Sequence, residues 1–342
     1  MTRHRVVVLC HEDLIPPDSI EGLSASEVDA FRTEYDVTRA LRELGHEVQV
    51  VGVSDDLAPI RSVALGFDPH VVFNLLMEFR DVGNYQAHVT SYLELLGVSF
   101  TGCHARGILL TRDKALCKKI LRYHRVPTPR FAVFERGAPM RRAAQRDLSF
   151  PLIVKSVDEE ASLGIAQASV VSDLEKLKER VEFVHRSVGT DAIAEEYIEG
   201  RELTQSILGN ERLQAFPPWE HFFDKLPEGS LPIATARAKF DRKYQARVGI
   251  DSGPAREMPP ATATRIAQLC KRVYRVLGLS GYARLDLRLS PDGQVYVIEV
   301  NSTPDVAEGE DFADSAKAVG LSYPQLIQRI VALGIAHGRR RD

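Results

Sequence analysis

Asp286, Glu299 and Asn301 are the side chains whose types and spacing most directly suggest chemistry, because together they offer the hard oxygen ligands that a divalent cation takes. They lie in YARLDLRLSPDGQVYVIEVNSTPD, residues 282 to 305, which reads as two strands around the turn pair Asp292-Gly293. Period-two alternation puts Tyr282, Arg284, Asp286 and Arg288 on one face and Leu285, Leu287 and Leu289 on the other. In the second strand Val295, Val297, Glu299 and Asn301 alternate with Tyr296, Ile298 and Val300. With Asp292 and Gly293 as a two-residue turn, Asp286 falls opposite Glu299 and Arg284 opposite Asn301. Opposed acids, with Cβ atoms about 5 Å apart, destabilise a sheet unless something compensates. Two readings stand at this point. One is Mg²⁺ shared with substrate phosphates, Arg284 holding a phosphate oxygen. The other is a solvated outer face on which Arg284 and Arg288 neutralise Asp286.

Further constellations are weak one by one. Lys155 ends a buried-looking strand before a loop, and lysine is seldom buried without a partner, so it suits a phosphate; an edge lysine reaching solvent is the plainer alternative. The same choice applies to Lys114 in TRDKALCKK and Lys239 in ARAKFDRKY. The loop EEASLGIAQ offers Ser162, Gly164 and free amides as a phosphate cover would, yet Asp158, Glu159 and Glu160 beside it would repel a triphosphate unless they face a cation or an amine. In EEYIEGRE, the strand backbone through Glu195, Glu196, Tyr197 and Ile198 could meet an adenine edge while Glu202 takes ribose hydroxyls; a strand running into a turn at Gly200 is the simpler alternative. The histidines show no metal-ligand spacing, and no Ser/His/Asp or Cys/His arrangement is apparent.

The elements that must position these residues follow from patterning. RVVVLC, HEVQVVGV and HVVFNLL are β-rich runs separated by a helix-compatible segment at 26 to 44 and a proline-containing connection, which predicts parallel strands with crossover helices. A helix at 85 to 97 completes an open α/β unit over residues 1–106, whose loops HEDLIPPDS and LMEFRDVGN at the strand ends would wall a ligand crevice. Residues 107–190 read as a small α+β lobe with a helix opened by a Ser172 and Glu175 capping box, and residues 191–342 as a larger antiparallel sheet with helices at 260 to 277 and 323 to 334. The 342 residues are 44% hydrophobic and 27% charged, as in soluble multidomain proteins. A net charge of -3 gives no reason to expect nucleic acid or membrane partners. Four cysteines without paired spacing suggest reduced thiols, and VVVLC is broken by His11, Glu12 and Asp13 too early for a signal peptide, so the expectation is a cytoplasmic protein.

Taken in order, FNLL, YLELLGVSFTG, TRDKALCKKIL, VPTPRF, FPLIVKS, ASLGI, EEYIEGRE, AKF, ARLDLRL and DGQVYVIEVNSTP make the chain resemble the ATP-grasp superfamily, and within it the D-alanine:D-alanine ligase family. The resemblance spans most of the chain. It implies an ATP-grasp fold, mixed α/β and α+β, behind an N-terminal open parallel α/β domain. By position it implies that Asp286, Glu299 and Asn301 hold Mg²⁺ or Mn²⁺, and that Arg284, Lys239 and Ser162 serve the phosphoryl transfer. Lys114 and Lys155 would contact ATP phosphates, Glu195 to Ile198 would line the adenine, and Glu202 the ribose. The implied reaction joins a carboxylate to an amine through an acyl phosphate, on small amino-acid or peptide substrates. Dimers are common among such proteins, so a homodimer is the assembly the resemblance suggests.

Departures from the family pattern gather at its amino-acid end. HEDLIPPDS replaces a glycine- and serine-bearing loop, with Glu12 as a substitute acid; Met77 stands at the histidine position of a His-Gly signature; Ala161, Phe240 and Asp305 replace a serine, a tyrosine and a glycine. A site that hydrogen-bonds one ligand discriminates strongly, so these changes predict altered substrates, with Asp305 adding a carboxylate near the acyl site and Asp158, Glu159 and Glu160 attracting a basic or amine-rich acceptor. An authentic D-alanine:D-alanine ligase and a non-catalytic ATP-binding regulator are the alternatives.

Overall fold

The computed structural model describes residues 2–140, 147–159, 165–233, 235 and 242–338, which contain three sheets. The first is parallel, in the order β2 (Glu47–Val53), β1 (Arg5–His11), β3 (Val71–Asn74). Val6, Val7, Val8 and Leu9 of β1 are at most 1% exposed, as expected of a strand covered on both faces. The segment predicted as one helix at 26 to 44 is two, Ala25–Ala30 and Arg32–Glu43, parted at Phe31, where φ of -128° leaves the helical range.

The second sheet is antiparallel and runs β4 (Phe131–Phe134), β7 (Ala192–Glu196), β5 (Leu152–Ser156), β6 (Val170–Val171). Its strand β7 lies past residue 190, so this sheet reaches beyond the 107–190 segment marked out by the sequence pattern. The helix Leu174–Phe183 covers one side through Leu177 and Val181. Its cap is Asp173, whose carboxylate accepts from the amides of Glu175 and Lys176, and not the expected Ser172. The Ser172 hydroxyl donates to Asp173 at 3.2 Å, one step outside the cap position.

The third sheet has six strands, β11 (Ile250–Pro254), β10 (Trp219–Phe223), β8 (Arg201–Leu208), β12 (Tyr282–Leu289), β13 (Val295–Asn301), with β9 (Gln214–Ala215) on β8. Ile266, Cys270, Val273 and Tyr274 of the helix Pro260–Val276 pack against Leu285 and Leu287 of β12 and Val295, Val297 and Val300 of β13. Another core is shared between the first and third sheets: Val6, Val8, Leu41 and Phe73 meet Tyr282, Phe312, Ile327 and Ile330. Where these units join, Gly281 has φ of +68°, and a Cβ there would come within 2.8 Å of the Gly102 carbonyl. All four cysteines are free and buried, and burial pushes the Cys10, Cys103 and Cys117 thiols up to about 12.

The β12–β13 hairpin departs from the sequence expectation twice, and the departures cancel at its far end. Ser290 donates to the Gln294 carbonyl and Gly293, at φ of +82°, donates to Ser290, so Pro291, Asp292 and Gly293 form a three-residue loop. That shift would spoil the predicted pairing. A β-bulge at Ile298 restores it, and Asp286 pairs with Glu299 and Arg284 with Asn301 as expected. The faces differ from simple alternation: Val295, Val297 and Val300 are buried on the core side, while Ile298 and Glu299 both line the opposite, open side.

Candidate active site

The bulge gives the site its geometry. On the open face of the hairpin, Asp286 stands in register with Glu299, and Asn301 with Arg284. Arg284, two residues along the same face, holds the Asp286 carboxylate with Nε at 2.9 Å and Nη2 at 3.3 Å. The neighbouring Asp286, Asp311 and Glu299 raise the Arg284 guanidinium pKa despite its burial. Glu299 is held by Lys114, whose Nζ lies 3.1 Å from Oε1. Lys114 opens the helix Lys114–Tyr123 behind its Asp113 cap; its amide donates to the Val157 carbonyl at 3.0 Å and its Nζ to the Glu159 carbonyl. One lysine therefore ties the hairpin to the loop after β5.

A second charge cluster lies deeper. Lys118 and Lys155 approach the two oxygens of Glu195 at 3.2 and 3.1 Å, with all three side chains at most 5% exposed. Burial lowers the Lys118 pKa, and Glu195 compensates only in part. For Lys155 the same desolvation is outweighed by Glu195, Glu299 and Asp286, and the pKa is raised. Lys118 Nζ also donates to the carbonyl of the bulged Ile298 at 2.7 Å, and Thr128 Oγ1 to that of Val297 at 2.9 Å. The bulge thus leaves a carbonyl free of the ladder for a buried cation to take.

Between the second and third sheets lies a cleft open to solvent. Lys155, Glu195, Glu196, Tyr197, Ile198, Glu202, Asp286 and Glu299, all predicted from the sequence, line it. Its apolar walls are Ile153, Ile165, Ile233, Leu287 and Ile298, which sequence reasoning did not single out. The Glu196 and Tyr197 amides donate to the carbonyls of Arg130 and Pro151, and the Glu196 carboxylate accepts from the Ser149 amide at 2.9 Å. Glu202 receives Arg288 Nη2 at 2.8 Å; Arg288 also donates to the carbonyls of Gly200 and Pro232 and lies 5.5 Å from the Tyr197 ring centroid. Arg288 is thus a cleft residue that braces Glu202, not a neutraliser of Asp286. Lys118 was also missed, although its spacing of four from Lys114 on a helix puts both on one face.

Ser162 and Lys239, together with Glu160, Ala161, Gly164 and Phe240, lie outside the described residues. Asp158 is turned to the N-terminal unit, accepting from Asn84 Nδ2 at 2.9 Å. Neither Glu12 nor Asp305 lines the cleft. Glu12 is exposed in a single 3-10 turn after β1. The Asp305 carboxylate accepts from Thr33 Oγ1 and the Ala307 amide, both at 2.8 Å. Around it lies an acidic group that the sequence did not reveal. Glu34 is pushed up to about 7, mainly by burial with Asp305 adding to it, and Glu310 to about 7 by burial, Asp305 and Asp311 against Arg32 and Arg284.

This arrangement, a cleft between an antiparallel sheet and a larger sheet carrying paired acids, is the ATP-grasp fold. The D-alanine–D-alanine ligase of Bacillus anthracis, solved with ATP, superposes with a TM-score of 0.75 over 99% of this chain and 100% of that one, at 21% identity. Residues 120–332 match the family D-ala D-ala ligase C-terminus. An uncharacterized protein, y4sG, of Sinorhizobium fredii is 32% identical over 89% of this chain and 87% of its own length. The D-alanine–D-alanine ligase of Desulforudis audaxviator is 30% identical over 91% of this chain and 95% of its own length. The chain belongs to the D-alanine–D-alanine ligase family of ATP-grasp enzymes, ATP-dependent ligases that form C–N bonds. Among the described residues no helix is long and apolar enough to cross a membrane.

Proposed function

We propose that the cleft binds ATP and that the chain uses it to join an amino-acid carboxylate to an amine. The observation that carries this reading is the in-register pair Asp286 and Glu299 at the cleft mouth, flanked by Lys114, Lys155 and Arg284. The adenine lies among Ile153, Ile165, Leu287 and Ile298 against the Tyr197–Ile198 backbone. Supporting this, the Ile198 amide has no partner among the described residues, unlike its two predecessors. Glu202, braced by Arg288, meets the ribose.

Asp286, Glu299 and Asn301 suit Mg²⁺: two carboxylates and an amide oxygen are hard donors, and the carboxylates are about one-fifth exposed toward the cleft. When bound, the ion neutralises phosphate charge. The protein's own cations do the rest. Lys155 and Lys114 hold the phosphates, and Arg284 steadies the transferring phosphoryl group as a substrate carboxylate oxygen attacks the γ-phosphorus and ADP departs. An amine nitrogen then attacks the acyl-phosphate carbon, phosphate leaves, and the nitrogen gives up a proton.

The substrates of this reading differ from a pair of D-alanines. Asp305, Glu310 and Asp311 extend past Arg284, and Met77 stands where the family pattern has a histidine. Such a mouth favours an acceptor carrying an additional cationic group. A screen of amino-acid pairs for ADP release tests both levels. Turnover with D-alanine alone overturns the substrate assignment and keeps the ligase; no ADP release with any pair overturns the ligase. D-alanine is the second reading, favoured by the relatives at 30% identity that carry that name.

A further inference from the structure

Away from the nucleotide cleft, His11, Glu78 and Asp81 converge where β1 and β3 end. These strands pair side by side, Leu9 with Asn74, so the residues following them share the carboxyl edge of the parallel sheet. The ligand atoms of all three side chains lie within 4.8 Å of one another. None of the three lines the cleft.

Three features distinguish this group from ordinary surface acids. Among the described residues His11 Nε2 is shielded from solvent and has no hydrogen-bond partner, an unfavourable state for a ring nitrogen. The other ring nitrogen, Nδ1, accepts from the Asp13 amide at 3.3 Å and has Asp13 Oδ2 at 3.6 Å. With Nδ1 accepting, the neutral ring carries its proton on Nε2; an ion bound at Nε2 shifts that proton to Nδ1, where the Asp13 carboxylate takes the place of the amide as partner, the usual support of a metal-bound imidazole. The acids, finally, are held without being neutralised. Asp81 and Arg80 sit in a tight turn closed by reciprocal Phe79 and Val82 bonds, and the Arg80 amide is tied to the Ser54 carbonyl at 2.7 Å. The Arg80 guanidinium lies over Phe79 at 6.0 Å, and neither Glu78 nor Asp81 has an ion-pair or hydrogen-bond partner among the described residues.

We propose that His11, Glu78 and Asp81 form a binding site for a borderline divalent transition ion, of which zinc is the type. Bond lengths of about 2.0–2.2 Å separate neighbouring ligand atoms by roughly 3–4 Å, so closure needs side-chain shifts of under about 1 Å. The imidazole sets the class, since magnesium and calcium take oxygen ligands. Three protein ligands leave positions open toward solvent, where Glu78 and Asp81 are most accessible. The site is independent of the Mg²⁺ assigned to Asp286, Glu299 and Asn301.

The test is calorimetric titration of the chelator-stripped protein with zinc chloride in a large excess of magnesium chloride, paired with cobalt(II) absorption. The wild type is expected to take up one equivalent, with cobalt bands in the visible. His11→Ala and the double variant Glu78→Gln/Asp81→Asn weaken uptake at least ten-fold, and Glu299→Gln does not change it. The double variant alters only accessible side chains, so unchanged thermal unfolding keeps its result readable even if His11→Ala misfolds. Absence of stoichiometric uptake, uptake of wild-type affinity in the double variant, or loss confined to Glu299→Gln would overturn the assignment.

Discussion

Lys155 Nζ lies 3.1 Å from Glu195 Oε1 in a site where both side chains are at most 5% exposed, and Lys118 closes on the other oxygen at 3.2 Å. One carboxylate therefore balances two buried ammonium groups. Removing it leaves two like charges facing each other out of water, which costs on the order of 3–5 kcal/mol. Glu195→Gln is expected to lower the thermal midpoint sharply and abolish ATP binding, read by calorimetry and differential scanning. A near-wild-type midpoint would mean that the triad is not what holds the helix Lys114–Tyr123 to the second sheet.

Glu299→Gln changes little in packing, because its side chain is partly open and its partner Lys114 keeps its bonds to carbonyl oxygens. The expected result is a folded protein that has lost magnesium-dependent ATP uptake and product formation by at least 100-fold, about 2.7 kcal/mol. Full activity in this variant removes the metal assignment.

Arg288 holds Glu202 at 2.8 Å and two carbonyls on the cleft wall. Arg288→Met keeps the apolar stem and frees Glu202 to swing from its place. KM for ATP should rise about ten-fold, about 1.4 kcal/mol, with a smaller change in kcat. A loss confined to kcat would point to Arg288 acting on the transferring group instead.

Glu34 gives the protein a pH dependence of known sign. Its carboxyl is pushed from 4.5 up to about 7, chiefly by burial. Between these values the folded state binds the proton more tightly than the unfolded chain, so stability is present in full below about 4.5 and declines as pH rises through about 7. The shift corresponds to roughly 3 kcal/mol. Glu34→Gln should flatten this part of the profile and stabilise the protein above pH 7, measured as the unfolding midpoint against pH. An unchanged slope would show that another group sets it.

Much of the site was legible because its residues are fixed by local rules. The pairing of Asp286 with Glu299 follows from the turn signal and strand alternation, although it survives only because a three-residue loop and the bulge at Ile298 offset each other. The facing of Val300 into the core could not be read, since a bulge is settled by what lies beyond the strand: here Lys118 and Thr128 claiming the carbonyls of residues 297 and 298. Asp173 took the cap from Ser172 for a similar reason, its carboxylate reaching two amides at once. Glu34 joins Asp305 and Glu310 only through tertiary folding, across more than two hundred residues of sequence, and no spacing rule connects it to them.

The core in which Val6 and Val8 meet Ile327 and Ile330 sets a schedule for biosynthesis. At roughly 5–20 residues per second, the first strand leaves the ribosome on the order of half a minute before its apolar partners exist. Over that interval its valines are open to chaperones or to mispairing. Slowed translation late in the message should therefore harm the yield of soluble enzyme more than the same delay early on.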